Sequence, residues 1–142
     1  MRRIFQFALT VRDYDEAIMF FVDTLGFHLL EDTDLGNGKR WVIVAPHGID
    51  ATHASSGAAI LLARATTEDQ IASVGRQTGG RVFIFVETDD LWRDYEMLRS
   101  RGVIFVREPT EETYGTVAVF QDLYGNLWDL IQPKRASSAA PA

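Results

Sequence analysis

The chain has 142 residues, of which 46% are apolar and 24% charged, and its formal net charge is −6 at pH 7. This is the composition of one ordinary soluble globular domain, and the negative charge disfavours a nucleic-acid partner, because phosphate binding needs a basic patch. The lack of cysteine excludes disulfides, thiolate metal sites and thiol catalysis.

The N-terminal segment MRRIFQFALT reaches the polar stretch VRDYDE too early for a secretory signal peptide. No apolar run approaches the roughly 20 residues of a membrane span. We therefore expect a cytoplasmic protein with no membrane partner.

The first half of the chain is predicted to form a strand, a helix and three further strands. Asp13 lies three residues before Glu16, a capping-box-like helix start, and Gly26 follows the last residue with helical spacing. We predict a helix over 14–25, a turn over 35–38, a loop over 46–57 and strands over 3–11, 27–32, 39–45 and 58–65.

A connector, 66–80, contains a short predicted helix over 67–77. The second half then repeats the first, with a helix over 91–101 that Asp89 or Asp90 caps and with strands over 81–87, 103–106, 116–120 and 127–131. Residues 136–142, ASSAAPA, are predicted to be a disordered tail.

The last two strands form a hairpin whose turn contains Asp122, Gly125 and Asn126, residue types that favour tight turns. On the returning strand, Asp129 shares a face with apolar neighbours only. A carboxylate buried alone there would cost several kcal/mol. We therefore expect Asp129 to face a wet cavity or to have a partner, unless the strand is simply half exposed.

Each half thus has one helix and one sheet, and one helix covers only one face of a sheet. The other face must pack against a second sheet, in the same chain or in another, or line a cavity. We predict one domain over 1–135, with module 1 at 1–65 and module 2 at 81–133.

The segments LTVRDYDEAIMFFVDTLGF and FQDLYGNLWDLIQP carry a family resemblance that extends over residues 3 to 133. The chain resembles the vicinal oxygen chelate superfamily, which includes glyoxalase I, bleomycin resistance proteins, fosfomycin resistance enzymes and extradiol dioxygenases. The resemblance implies an α+β fold of two βαβββ modules, in which curled mixed sheets enclose a cavity, and a homodimer.

In enzymes of that family a divalent metal is held by one residue from the first and one from the last strand of each module. The corresponding positions here are Gln6, Leu61, Phe83 and Asp129. Leu61 and Phe83 offer no ligand atom, so we expect no metal and no cofactor; a metal, if present, would be bound by Asp129 and Gln6.

Strand alternation places further side chains on the predicted cavity wall. The candidate ligand-binding residues are Gln6, Thr10, Trp41, Leu61, Phe83, Phe85, Glu87, Tyr114 and Asp129. Trp92 is another candidate for stacking on a ligand, and Arg40 and Arg64 could bind an anionic group or be solvated.

We expect a metal-free protein that binds a small, partly aromatic or cationic molecule. The alternative is a glyoxalase-type lyase, isomerase or dioxygenase, whose metal would need Asp129, Gln6 and a further ligand such as His53 or Glu87. Without a metal, Glu87 or Asp129 could act as general base. A third possibility is a scaffold whose partner is a second copy of itself.

Overall fold

The structure is a computed structural model that describes residues 1–47 and 57–134. His53, most of the predicted loop 46–57 and the predicted tail 136–142 lie outside the described residues. The chain divides into two compact units, Met1–Gln77 (unit 1) and Thr78–Ala142 (unit 2), which are described separately.

Unit 1 is a four-stranded mixed sheet with one main helix. Its elements are β1 (Gln6–Val11), α1 (Tyr14–Ile18), which continues as a π-helix over Met19–Thr24, β2 (His28–Gly36), β3 (Lys39–Ala45), β4 (Ala59–Arg64) and the short α2 (Glu68–Ser73). The strand order is β1-β4-β3-β2, and β1 runs parallel to β4 while the other pairs are antiparallel.

Unit 2 repeats this order. Its elements are β5 (Val82–Glu87), α3 (Leu91–Ser100), β6 (Ile104–Glu112), β7 (Gly115–Gln121) and β8 (Leu127–Pro133), with strand order β5-β8-β7-β6. The predicted fold class is therefore confirmed, since each unit is a βαβββ module with a four-stranded mixed sheet.

The main helices begin where the sequence predicts. The Asp13 carboxylate accepts a hydrogen bond from the Glu16 backbone N–H at 2.8 Å, and the Asp90 carboxylate accepts one from Arg93 N–H at 3.1 Å. Asp90 and not Asp89 is thus the cap of α3, and each cap satisfies a backbone donor that the helix leaves free.

The central strands of each sheet bury one face beneath the helix of that unit. In unit 1, Leu9, Val42 and Leu62 have no solvent exposure; in unit 2, Trp128 and Leu130 are buried. The alternate residues on the same strands, such as Leu61 and Asp129, are half-buried. One helix therefore covers one face, as the amphipathic patterns predict.

Two strands are longer than predicted. The strands β2 and β6 extend over nine residues each, although strands over only 27–32 and 103–106 were expected. Both are edge strands with mostly exposed, polar residues, a composition that resembles a loop. The turn between β2 and β3 is Asn37–Gly38, with φ of 57° and 80°, the conformation that a two-residue hairpin requires.

The helix α2 is shorter than the predicted span 67–77, because Val74 is extended and Gly75 has a φ of 80°. After it, the Gln77 side chain pairs with the edge of β1: its carbonyl accepts from Thr10 N–H and its amide donates to the Ala8 carbonyl, both at 2.8 Å. Within the described residues, no helix is long and apolar enough to cross a membrane.

Candidate functional site

The hairpin turn between β7 and β8 is held by one buried carboxylate. Asp122 accepts hydrogen bonds of 2.9–3.0 Å from the backbone N–H groups of Tyr124, Gly125 and Asn126. It also accepts 3.0 Å bonds from the Asn126 side-chain amide and the Trp128 indole N–H. Asp122 is therefore a structural residue that fixes the start of β8.

The strand that follows presents Asp129 on the face of the sheet away from α3. Asp129 lies opposite Phe85 of β5 on one side and Val119 of β7 on the other, and Val119 in turn lies opposite Arg107. Desolvation by these neighbours raises the pKa of Asp129 above its usual value, and the positive charge of Arg107 partly opposes the shift.

Phe85, with 65% of its surface exposed, is the cross-strand neighbour of Asp129. Phe83 instead falls at an irregularity in the register between Val82 and Ile84. Glu87 is exposed at the end of β5 opposite Ile131. The face of unit 2 away from α3 is thus an acidic and aromatic surface.

The positions that correspond to the family metal ligands do not form a metal site. In unit 1, Gln6 lies opposite Ala59, and Leu61 lies opposite Ala8. In unit 2, Phe83 has no ligand atom, and the residue opposite Asp129 on β5 is Phe85. Among the described residues, no three His, Cys, Asp or Glu side chains converge as a metal ion would require. One amide and one carboxylate are a poor donor set for a divalent ion, which needs several oxygen or nitrogen ligands.

Unit 1 contains an open groove of about 430 Å³ at the end of its sheet where β1 and β4 finish and β3 begins. We call it the unit 1 groove; its walls include Thr10, Tyr14, Lys39, Trp41, Leu61 and Arg64. Trp41 and Leu61 supply apolar surface and Thr10 a hydroxyl, a mixture typical of small-molecule pockets.

Positive charge surrounds the ring of Tyr14 in this groove. The guanidinium carbons of Arg40 and Arg64 lie 5.2 and 5.7 Å from the ring centroid. Tyr14 is itself buried, and its hydroxyl accepts a hydrogen bond from the backbone N–H of Arg40 at 3.1 Å. The aromatic ring therefore supports both cations.

The structure brings three of the predicted ligand-binding residues, Thr10, Trp41 and Leu61, into the unit 1 groove. Phe85 and Asp129 lie side by side in unit 2. Tyr114 is exposed at the β6–β7 turn, five residues before Val119, the neighbour of Asp129. Trp92 is exposed on α3, where its ring meets Tyr95 edge-on.

Sequence reasoning missed Tyr14 and Lys39 as groove residues. Tyr14 appeared only as the first residue of a helix, and Lys39 only as the start of a strand. The Asn37–Gly38 turn was a usable signal, because it fixes Lys39 as the first residue of β3, and the start of β3 lies at the same end of the sheet as the C-terminus of its antiparallel neighbour β4.

Comparison with known proteins places this geometry in a family. Residues 3–130 match the sequence model described as the Glyoxalase/Bleomycin resistance protein/Dioxygenase superfamily. An uncharacterized protein of Shewanella frigidimarina is 55% identical over 130 residues, which are 91% of this chain and 92% of that protein.

Two solved structures have the same architecture. TnmS3 from Streptomyces sp. CB03234, described as an antibiotic binding protein, is 30% identical with a TM-score of 0.72, over 94% of this chain and 98% of that one. A superfamily member from Sphaerobacter thermophilus is 27% identical with a TM-score of 0.73, over 93% and 98%. With two βαβββ modules and a sequence match over nearly its whole length, the chain belongs to the glyoxalase/bleomycin resistance protein/dioxygenase superfamily.

Proposed function

We propose that this protein binds a small, partly aromatic molecule without a metal ion, and that the unit 1 groove is the binding site. The observation that carries the proposal is the groove itself, in which Trp41 and Leu61 form an apolar wall beside the Thr10 hydroxyl. Its volume of about 430 Å³ suits a small organic ligand.

Two further observations support binding as the function. The positions at which related enzymes hold a metal carry Gln6, Leu61, Phe83 and Asp129, a set that does not fit a divalent ion. TnmS3, which shares 30% of its residues with this chain, is described as an antibiotic binding protein. The family resemblance also predicts a homodimer, which sedimentation of the purified protein would test.

The alternative is a metal-dependent lyase, isomerase or dioxygenase. It would require additional ligands beyond the carboxylate of Asp129 and the amide of Gln6, and no catalytic step through a metal follows from the residues described. A cationic ligand would instead favour the surface of unit 2, where Glu87 and Asp129 lie near Phe85.

The experiment is a fluorescence titration with N-phenyl-1-naphthylamine, a neutral aromatic probe. We expect saturable binding that Trp41→Ala weakens by roughly tenfold or more, since a tryptophan contact of this kind commonly contributes above 1 kcal/mol. Trp92→Ala is the matched control, because Trp92 is exposed on α3 and should leave binding unchanged.

Addition of Mn²⁺, Ni²⁺ or Zn²⁺ should leave the melting temperature unchanged. Equal loss of probe binding in both tryptophan variants would contradict the proposed site. A rise of several degrees with one metal would contradict metal-free binding and favour the enzyme.

A further inference from the structure

Three cations line the unit 1 groove: Lys39, Arg40 and Arg64. Arg40 is paired, since it forms ion pairs of 2.8 Å with Asp15 and 2.7 Å with Asp32. Within the described residues, neither Lys39 nor Arg64 forms an ion pair. The charge of these two side chains is therefore available to a ligand.

No acidic side chain is present among the described residues that line the groove. The cations are also concentrated there against the trend of the whole chain, whose net charge is −6. A local positive site raises the local concentration of anions even on a protein whose net charge is negative.

The exposed Arg64 side chain contacts the Tyr14 ring and has free space beside Gly38. Its guanidinium lies over the Tyr14 ring, and its Nη2 atom is 3.2 Å from the position that a Cβ on Gly38 would occupy. The absence of a side chain at Gly38 thus leaves room for the guanidinium. A planar guanidinium can donate two parallel hydrogen bonds to an acidic group.

The apolar and charged parts of the groove are adjacent. Trp41 and Lys39 are two residues apart on β3 and share a face of the sheet, whereas Arg64, three residues after Leu61 on β4, lines the groove from the side of α1, over Tyr14. An aromatic body against Trp41 and Leu61 would therefore place a substituent beside Lys39, at the end of the groove that Arg64 also lines.

We propose that the ligand of the unit 1 groove is an anionic aromatic compound, whose carboxylate, sulfonate or similar acidic group is bound by Arg64 with assistance from Lys39. This inference rests on the proposed function and adds the charge of the ligand to it. It also separates the unit 1 groove from the acidic surface of unit 2, which suits the opposite charge.

The test compares two probes that share one skeleton. The anion 1-anilinonaphthalene-8-sulfonate and the neutral N-phenyl-1-naphthylamine differ by the sulfonate alone. We expect Arg64→Gln to weaken binding of the sulfonate about tenfold, the size of one charge-assisted contact, and to change binding of the neutral probe less than about twofold. Lys39→Gln should have a smaller effect in the same direction.

Arg99→Gln is the matched control. Arg99 lies over the ring of a buried tyrosine, Tyr95, at 5.2 Å, but on α3 of unit 2. The same cation–π contact is lost there without loss of a groove cation, so both probes should bind as before. Arg64→Lys should restore part of the sulfonate binding, because it retains the charge and loses the planar geometry.

The outcomes separate the inference from the proposed function. If the neutral probe binds through Trp41 but Arg64→Gln leaves sulfonate binding unchanged, the anion site is wrong and the aromatic site stands. If the sulfonate binds through Arg64 and the neutral probe does not bind, the anion site stands and the aromatic site is wrong. If wild-type protein binds neither probe, or Arg99→Gln weakens the sulfonate as much as Arg64→Gln, the inference is overturned.

Discussion

Unit 1 and unit 2 repeat one order of elements, yet the sheet faces away from their helices carry different chemistry. The repeat aligns Leu61 of β4 with Asp129 of β8, both half-buried. Near Leu61 the surface has the apolar ring of Trp41 and the cation Lys39, whereas beside Asp129 it is aromatic with a second acid, Glu87. The buried faces are alike because each must pack against a helix, while the other face is free to diverge.

The units also differ in how their last two strands are connected. In unit 2 the turn between β7 and β8 spans only 122–126 and is organised by the buried Asp122. In unit 1 the connection between β3 and β4 spans 46–58, of which 48–56 are not described. The short turn in unit 2 depends on one side chain, Asp122, and should therefore be sensitive to mutation there.

The largest expected effect is at that turn. Asp122→Ala should lower the free energy of unfolding by about 3 to 5 kcal/mol, because three backbone N–H groups, the Asn126 amide and the Trp128 indole all lose their acceptor. Urea unfolding measures it. Asp122→Asn should cost less, since it keeps one oxygen acceptor.

An exposed turn carboxylate in unit 1 serves for comparison: Asp34, in the β2–β3 hairpin, accepts among the described residues a single hydrogen bond, from Gly36 N–H at 2.8 Å. Asp34→Ala should cost about 0.5 to 1 kcal/mol. Similar losses of unfolding free energy in Asp34→Ala and Asp122→Ala would contradict the expectation that the unit 2 turn depends more strongly on its carboxylate.

The next largest loss of stability is expected from substitution of two glycines, Gly115 at the start of β7 and Gly38 in the β2–β3 turn. A Cβ on Gly115 would collide with the backbone carbonyl oxygen of Gln132 and lie 2.9 Å from the Pro133 Cα. Gly115→Ala should therefore destabilise the protein by about 2 to 3 kcal/mol. Thermal unfolding followed by circular dichroism measures the change.

Gly38→Ala is the comparison in unit 1. Its new Cβ would meet only the guanidinium of Arg64 and no backbone atom, so its cost of about 1 kcal/mol should come from the φ of 80°. It should also weaken binding of the anionic probe by displacing Arg64. An equal loss of stability in Gly38→Ala and Gly115→Ala would contradict the expectation that crowding against backbone atoms costs more than crowding against a side chain.

The helix caps test what the units share. Asp13 and Asp90 each accept a hydrogen bond from the backbone N–H three residues later. Asp13→Ala and Asp90→Ala should each cost about 1 kcal/mol in urea unfolding, and the two values should agree within roughly 0.5 kcal/mol. A much larger difference would show that one cap also has a role outside its helix.

The smallest expected effect is a pH dependence of stability that comes from Asp129. Its counterpart in unit 1, Leu61, does not titrate and cannot contribute one. Because the folded pKa of Asp129 is raised by desolvation, the folded state binds this proton more tightly than the unfolded state does. Stability from this group is thus present at low pH and is lost as pH rises from the unfolded pKa of about 3.9 through the raised folded pKa.

The change in the free energy of unfolding caused by Asp129→Asn should therefore be more favourable at pH 7 than at pH 3. Urea unfolding of both proteins across that range measures the difference. Arg107→Gln should steepen the pH dependence of the wild-type carboxylate, because it removes the cation that partly opposes the shift. A pH-independent difference between wild type and Asp129→Asn would contradict the raised pKa.

The amino-acid sequence by itself determined the repeated βαβββ order, the helix caps, the tight hairpin at Asp122 and the alternation that places Leu61 and Asp129 away from the helices. These features depend on neighbours within a few residues. The strands β2 and β6 were predicted too short, because backbone pairing at an edge can hold polar residues that look like loop in sequence.

The tertiary structure decided which separated residues meet. The Gln77 side chain on the edge of β1, Arg64 over the Tyr14 ring, and Lys39 beside the ends of β1 and β4 all depend on contacts between elements far apart in the chain. Alternation along a strand assigns a side chain to one face of the sheet. Only strand order and register bring particular cations, aromatic rings and hydroxyls to the same end of the sheet, and the distances between them set the chemistry of the groove.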